Sequence, residues 1–236
     1  ADCANFSQGQ NHLMQNTSRH SITKIQRGDP LYPARLNNLY DPPDYLYIKG
    51  DVRLLSMPMI AVVGSRKASS EGLQNARAFA QALSKAGILI VSGLARGVDA
   101  AAHQAAIDLG KNHYTLAACG TGLDQTYPRE HQGLAKSISE QGLLISELPL
   151  GVGPKAFHFP RRNRLIAALA LGVVVIEAAD KSGSLITARI AADLGREVFA
   201  LPGSIRVPYS CGCHKLIQQG AKLVCSPKEV LEELIF

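Results

Sequence analysis

Short runs of apolar, mostly β-branched residues recur along the chain, separated by longer segments whose apolar positions follow a helical period. The short runs are apolar at successive positions, as in strands that helices cover on both faces. They lie at 59–63, 88–92, 115–119, 143–146, 173–177, 197–201 and 222–225. The helical segments lie at 70–86, 98–109, 128–141, 162–171, 184–194 and 213–219, and a last one follows Pro227. The alternation predicts an α/β fold: a doubly wound, mostly parallel sheet with helices on both faces.

The N-terminal part of the chain follows a different pattern. Residues 1–22 are polar without clear periodicity, which predicts a linker or tail, so that 23–236 forms the domain. The stretch 29–51 contains four prolines and four tyrosines. This composition predicts an extended segment packed on the sheet domain, with an antiparallel edge strand at 45–49.

Composition restricts the class of protein. Of the 236 residues, 46% are hydrophobic, which excludes a disordered or fibrous chain. No apolar run approaches the ~20 residues of a membrane span, and no signal peptide is visible. The five cysteines include no CxxC pair, which is typical of reduced thiols and predicts a cytoplasmic location. The net charge of +6 permits a polyanionic partner without requiring one.

Glycine-bearing turns follow most of the predicted strands. In open α/β sheets ligands bind beyond the carboxyl ends of the strands, where such loops meet. Glycine lets the backbone approach a ligand, and the start of the next helix offers free N–H groups to an anion. Tight turns are needed in this fold anyway, but five at one edge favour anion binding. They are Gly64-Ser65-Arg66, Ser92-Gly93-Leu94, Gly120-Thr121-Gly122, Ser182-Gly183-Ser184 and Pro202-Gly203-Ser204.

Neither standard mononucleotide motif is present. Arg66 stands where the second glycine of GxGxxG belongs, no third glycine follows Gly120-Thr121-Gly122, and no GxxxxGK[ST] occurs. A longer phosphate chain, touched at several places, fits the arginines better.

Arg161, Arg162 and Arg164 precede an apolar helical segment, and the next acid along the chain is Glu177. Because cations are disfavoured at a helix N-terminus, we expect an anion to compensate them. With Arg66 they would form a phosphate-binding groove. Aromatic side chains nearby, at Phe157, Phe159 and Tyr127, are suited to stack on unpaired bases.

These residues resemble the DNA-processing protein A family, and the resemblance covers about 29–225. "FPRRNR" followed by "SGSLITA" and "LPGS" is its most specific part. The matching stretches are "AVVGSRKAS" (61–69), "VSGLARGVDAAAHQAAI" (91–107), "GTGLDQTYPREH" (120–131), "FPRRNRLIAAL" (159–169), "SGSLITARIAADLGREVFALPGS" (182–204) and "GCHKLIQQGA" (212–221).

The resemblance implies an extended Rossmann-like domain of a cytoplasmic bacterial protein that binds single-stranded DNA during natural transformation. It further implies protection of incoming strands, help in loading the RecA recombinase, a homodimer, and neither catalysis nor a cofactor. Some members carry a small helical module before this domain and a winged-helix-like module after it. We expect neither within these 236 residues.

The family motifs assign candidate nucleic-acid-binding residues to this chain. The arginines are expected to hold phosphates, with the hydroxyl and N–H groups of the turns supplementing them. Asn163 is equally well explained as a helix cap. The candidates are Ser65, Arg66, Gly93, Gly120, Thr121, Arg162, Asn163, Arg164, Lys181, Ser182, Gly183, Ser184 and Thr187.

The alternative is a small-nucleotide sensor or a nucleotide hydrolase of the LOG type, whose PGGxGTxxE signature carries a catalytic glutamate. Here the comparable turn is 202–206, and no acid follows it. A protein-interaction module with incidental DNA affinity is a third possibility. Dependence on the arginines and on salt would distinguish a polynucleotide reader from both.

Two other groups of residues have structural explanations. Cys211, Cys213 and His214 supply three close ligands but lack the paired spacing of a zinc site, so we expect no metal there. His103 follows Asp99 by four residues, and we expect the two to pair along one helix. Asp99 is also expected to support the preceding loop through local hydrogen bonds.

Overall fold

A computed structural model describes residues 21–234, and these form a nine-stranded sheet with helices on both faces. The α/β, doubly wound fold is therefore confirmed. The strands are β1 (Ile22–Gln26), β2 (Tyr45–Gly50), β3 (Met59–Val63), β4 (Leu89–Ser92), β5 (Thr115–Ala118), β6 (Leu143–Ser146), β7 (Gly172–Val175), β8 (Glu197–Ala200) and β9 (Lys222–Leu223). The helices are α1 (Ser70–Lys85), α2 (Val98–Asp108), α3 (Gln132–Gln141), α4 (His158–Leu169), α5 (Gly183–Asp193), α6 (Cys211–Gln218) and α7 (Pro227–Glu233).

The strand order across the sheet is β1-β2-β6-β5-β4-β3-β7-β8-β9. From β6 to β9 all neighbours are parallel, and the chain winds outward from β3 in one direction and from β7 in the other. The loops after β3 and β7 consequently leave on opposite sides, opening a crevice at their carboxyl ends. Ligands of doubly wound sheets bind at such a switch point.

Strand β3 shows why the central strands read as continuous apolar runs. Ala61 and Val63 face the core under α4 and α5, whereas Ile60 and Val62 face the core under α1 and α2. Both faces of the strand are buried, so no position along it can be polar without cost. No helix within 21–234 is long and apolar enough to cross a membrane.

The N-terminal part differs from the prediction in one respect. The antiparallel strand expected at 45–49 is present as β2, but it is not the edge, because β1 pairs with its outer side. Strand β1 begins at Ile22, where a polar tail was expected, and only two of its five residues are even partly buried, so it carries little hydrophobic signal. The remainder of the predicted tail, residues 1–20, lies outside the described residues.

Two predicted helix starts are also corrected. Helix α4 begins at His158, four residues before the predicted start, because a proline is tolerated in the first turn of a helix and Pro160 occupies that turn. The segment predicted as one helix from 128 is a short 3₁₀ helix, Arg129–His131, that leads into α3. Arg162 therefore lies in the second turn of α4 and not at its N-terminus.

Candidate nucleic-acid interface

An open cleft of about 640 Å³ lies at the switch point between β3 and β7. The loop after β3 forms one wall, α4 lies at its base, and the loop before α5 with the first turns of α5 forms the other wall. Nine of the residues selected from the sequence line it: Ser65, Arg66, Arg162, Asn163, Lys181, Ser182, Gly183, Ser184 and Thr187.

Three cations present exposed side chains to this cleft: Arg66 and Lys67 on one wall and Lys181 on the other. Within residues 21–234 the structure records no ion pair for any of them. Like charges that converge without a counter-charge repel one another. The cleft is therefore suited to an anion that can be touched from both walls.

The start of α5 adds a second source of positive potential. Ser182 is the N-cap residue: its Oγ accepts a hydrogen bond from Ser184 N (3.4 Å) and lies 2.8 Å from Ser184 Oγ. The first N–H groups of an α-helix have no partner inside the helix and bear the positive end of its dipole. The residues at this helix start, Gly183 and Ser184, line the cleft, a common arrangement for binding phosphate. Thr187, one turn further, is buried in the cleft wall.

Asn163 joins the base of the cleft to the α5 wall. Its side-chain amide donates to Gly183 O (3.2 Å), and its Oδ1 accepts from Arg162 Nε (3.2 Å). The helix-cap interpretation is wrong, because α4 is already under way at this position and Phe157 is its N-cap residue. Asn163 instead fixes the first turn of α5 against α4.

Arg162 differs most from its expected role. Only 4% of the residue is exposed, and its Nη1 donates to the carbonyl oxygens of Gly93 and Ala118, at the ends of β4 and β5. Burial lowers the pKa of its guanidinium, while Asp99 opposes that shift. Arg162 thus donates hydrogen bonds mainly within the protein, and only its edge reaches the cleft.

Asp99 is the counter-charge that the sequence did not reveal. It is buried and accepts hydrogen bonds from Gly93 N (3.1 Å) and Ala95 N (3.3 Å), so the expected support of this loop is confirmed. Burial raises the pKa of its carboxyl, and Arg162 partly offsets the rise. Gly93 lies between the two charges: a Cβ there would be 2.6 Å from Arg162 Nη2 and 2.7 Å from Asp99 Oδ2. Only glycine fits.

An aromatic pocket adjoins the cleft on the Arg66 side. The rings of Tyr127 and Phe159 lie 5.3 Å apart at 41°, and the guanidinium of Arg66 lies 5.7 Å from the Phe159 ring centre. Gly120 makes room for Phe159, since a Cβ there would be 2.8 Å from its ring. Tyr127 is 42% exposed, so an aromatic face is available beside the cation. Proteins that bind single-stranded nucleic acids commonly combine an aromatic ring with a cation in this way.

The other two arginines of the cluster point elsewhere. Arg164 forms an ion pair with Glu147 and donates to Asp41 O (2.6 Å), and Arg161 pairs with the same two acids. The absence of nearby acids in the sequence was therefore misleading, because the fold brings Glu147 and Asp41 to α4. Arg164 does not line the cleft, and Thr121 is buried with its hydroxyl donated to Gln125 O (2.6 Å).

The expected pair of His103 with Asp99 is wrong. His103 is fully buried, its Nδ1 lies 2.6 Å from Thr115 Oγ1, and burial lowers the pKa of its imidazole to about 3.

His214 Nε2 lies 3.0 Å from Gly203 O, and burial raises the pKa of the Cys213 thiol to about 12. Among residues 21–234 no group of His, Cys, Asp and Glu side chains is arranged to hold a metal ion.

The fold and sequence match known proteins. The chain is 50% identical to the protein Smf of Escherichia coli over 213 residues, 90% of this chain and 56% of the relative. It is 49% identical to the DNA processing protein DprA of Streptococcus pneumoniae over 88% of this chain and 73% of the relative. The chain thus spans little more than half the length of the Escherichia coli protein.

Solved structures agree. The DprA structure from Streptococcus pneumoniae superposes with a TM-score of 0.87 at 47% identity, covering 91% of this chain and 75% of the other. The Helicobacter pylori DprA structure, described for its single-stranded DNA binding mode, gives 0.81 at 31% identity, covering 90% and 95%. A molybdenum cofactor binding protein of Rippkaea orientalis shares the fold alone, at 16% identity and a TM-score of 0.53, over 75% of this chain and 94% of the other.

A family model confirms the resemblance that the motifs indicated. The model of the DNA recombination-mediator protein A family matches residues 23–235, which is nearly the whole domain. The chain belongs to the DNA recombination-mediator protein A family.

Proposed function

We propose that this domain binds single-stranded DNA without regard to sequence, as a DNA-processing protein of natural transformation and recombination. The observation that carries the proposal is the convergence of three cations that form no ion pair within residues 21–234, a helix N-terminus and an aromatic pocket around one cleft. The single-stranded DNA binding for which the Helicobacter pylori relative is described supports it.

The cleft divides the work between phosphates and bases. Arg66, Lys67 and Lys181 hold successive phosphates, and the first N–H groups of α5 hold another. Arg162 keeps the loops after β4 and β5 in position, with at most its edge contacting the strand. This differs from the role first expected for Arg162 and follows from its burial and its two carbonyl partners.

The aromatic pocket accounts for the preference for single strands. A base can lie against Tyr127 or Phe159 only if it has left the stack, which in a duplex requires unpairing. Stacking on a ring is open to every base, so recognition is largely independent of sequence.

A small-nucleotide sensor is the second candidate, because a cleft of about 640 Å³ is also within the range of small-molecule sites. In that case one phosphate group at the start of α5 would account for binding, and the exposed cations at the Arg66 wall would contribute little. For nucleotide hydrolysis the 202–206 turn would need a catalytic acid, and it contains none. We propose that the domain is not an enzyme and needs no cofactor.

Family membership motivates a proposal about the wider biology. We propose a cytoplasmic homodimer that protects incoming single strands and helps to load the RecA recombinase onto them. These statements rest on the family to which the chain belongs.

The test is a fluorescence-anisotropy titration of labelled oligo-dT, at two salt concentrations, with unlabelled duplex and ATP as competitors. Arg66→Ala and Lys181→Ala are each expected to weaken binding about tenfold and to flatten its salt dependence, because each phosphate contact released lowers the slope by about 0.7 on single strands. Arg53→Ala is the control, since Arg53 is exposed at the opposite end of the strands, next to the start of β6. Displacement of oligo-dT by ATP with both variants unaffected would favour the sensor.

A further inference from the structure

A second groove leaves the cleft at Arg66. It has a volume of about 610 Å³ and runs between the N-terminal halves of α1 and α2, and Arg66 and Lys67 line both it and the main cleft. Leu73 and Arg77 of α1 form one side, and Ala100, Ala101 and Gln104 of α2 form the other. We call this the α1–α2 groove. It is continuous with the surface that holds Arg66, so a ligand that fills the cleft can extend into it.

The α1–α2 groove has an excess of positive charge. Its cations are Arg66, Lys67 and Arg77, and its single carboxylate is Glu130. Both oxygens of Glu130 accept hydrogen bonds from Arg96, at 2.9 Å in the case of Nη2, and the pair lowers the pKa of the Glu130 carboxyl. Glu130 therefore does not neutralise the groove.

Arg77 is the least explained of these cations. It is exposed on α1, and the part of the chain that the structure describes offers it no ion pair, whereas the exposed Arg53, Arg96 and Arg161 each form one. It lies roughly 10 Å along α1 from the start of that helix, at 1.5 Å per residue. A phosphate chain that passes Arg66 and Lys67 and continues in the groove would reach it.

The groove also offers apolar surface beside the charges. Leu73 of α1 and Leu134 of α3, which also lines the groove, are partly exposed there. Cations that alternate with small apolar surfaces suit a polynucleotide, whose backbone is anionic and whose bases are not. A mononucleotide in the main cleft would have no group to place at Arg77.

We propose that bound single-stranded DNA leaves the cleft over Arg66 and continues along the α1–α2 groove, with Arg77 holding a phosphate beyond the main site. This inference rests on the proposed function. It makes the site longer than the cleft. The path of the strand across the domain then runs between the start of α5 and α1, passing the end of β3.

The test measures the affinity of oligo-dT as a function of length, for the wild type, Arg77→Gln and Lys85→Gln. Lys85 is the matched control, because it is exposed on the same helix but in the last turn, away from the groove. Affinity of the wild type should rise until the oligonucleotide spans cleft and groove. Arg77→Gln should bind the shortest oligonucleotides as the wild type does and lose several-fold on the long ones, with a salt slope smaller by about 0.7.

The outcomes separate the two proposals. If the wild type binds short oligo-dT but gains nothing with length, or if Arg77→Gln keeps the whole gain, the groove is not part of the site while the cleft still is. If the wild type binds no oligo-dT, both proposals fail. An equal loss in Lys85→Gln would show a general charge effect and would also overturn the inference.

Discussion

Arg162 shows how a charged residue of the binding motif can serve the protein before it serves the ligand. Its guanidinium connects the ends of β4 and β5 and faces the buried carboxyl of Asp99 across Gly93. Removing it would leave two carbonyl oxygens without their donor and Asp99 without its nearest positive charge. Buried groups left in this state are costly.

We therefore predict that replacing either of two arginines of the cleft affects the free energy of unfolding very differently. Arg162→Ala should lower the free energy of unfolding by about 3 kcal/mol, because it orphans buried acceptors and a buried charge. Arg66→Ala should change it by less than about 0.5 kcal/mol, as is usual for exposed positions. Urea denaturation of both variants measures this, and oligo-dT binding is then compared only for variants that remain folded. Equal stabilities would mean that Arg162 is a surface ligand.

His103 predicts how stability depends on pH. Its pKa is about 3 in the folded protein and 6.5 when unperturbed, so the unfolded chain binds a proton between these values and the folded protein does not. His103 therefore contributes stability that is complete above pH 6.5 and is lost as the pH falls towards 3. The loss amounts to at most about 1.4 kcal/mol per pH unit.

Replacing His103 with Gln should remove this contribution. Urea denaturation from about pH 7 down to pH 4 should give a flatter profile for His103→Gln than for the wild type. The raised pKa of Asp99 acts in the opposite direction in its own range and is common to both proteins. Parallel profiles would show that folding does not lower the pKa of His103.

At this scale the sequence was informative about residue type and uninformative about partners. It selected Arg66, Lys181 and the Ser182-Gly183-Ser184 turn, which line the cleft, because glycine turns and cations stand out locally. It missed Asp99 as a partner of Arg162 and Glu147 as a partner of Arg164. Those pairs join residues far apart in the chain, so no local pattern encodes them.

At the scale of elements, the loop after β3 is held by the start of α2. Gly97 is the N-cap residue of α2 and has φ of 74°, a conformation that residues with a Cβ rarely adopt. The next residue, Val98, donates its N–H to Ser65 O (3.2 Å). A Cβ on Gly97 would overlap this same carbonyl oxygen. The shape of the Gly64-Ser65-Arg66 loop thus depends on a glycine more than thirty residues later.

Gly97→Ala should accordingly destabilise the protein by about 2 kcal/mol and weaken oligo-dT binding, because it strains the helix start and displaces the backbone that carries Arg66. The matched control is Gly133→Ala in α3, where a Cβ would meet no atom within 4 Å. That change should be neutral or slightly stabilising, since alanine favours a helix. Thermal unfolding and the same titration would measure both effects. If Gly97→Ala behaves like Gly133→Ala, the loop does not depend on Gly97.

Element prediction succeeded where burial is uniform and failed where it is not. Strands β3 to β8 are buried on both faces, so each is a continuous apolar run that the sequence reveals. Strand β1 is mostly exposed and carries charged and polar residues, so its pairing with β2 could not be predicted. The early start of α4 was missed because Phe159-Pro160 looks like a loop, although proline is allowed in a first turn.

For the whole molecule, the strand order places the candidate site. The winding reverses between β3 and β7, and the cleft, the aromatic pocket and the α1–α2 groove meet at that reversal around Arg66. Arg66 lines all three. A strand bound in the cleft would therefore stack a base in the aromatic pocket and enter the α1–α2 groove close to Arg66. We propose that one continuous single strand occupies this surface.

Whether it does so can be measured by photo-crosslinking of oligo-dT to the protein, followed by mass spectrometry of the linked peptides. We expect crosslinks at the exposed ring of Tyr127 and the partly buried ring of Phe159, beside Arg66, and their loss when excess unlabelled single strand competes. Arg66→Ala should reduce their yield while the protein remains folded. Crosslinks confined to surfaces away from the switch point, such as the 110–114 turn before β5 at the opposite end of the strands, would contradict the proposal.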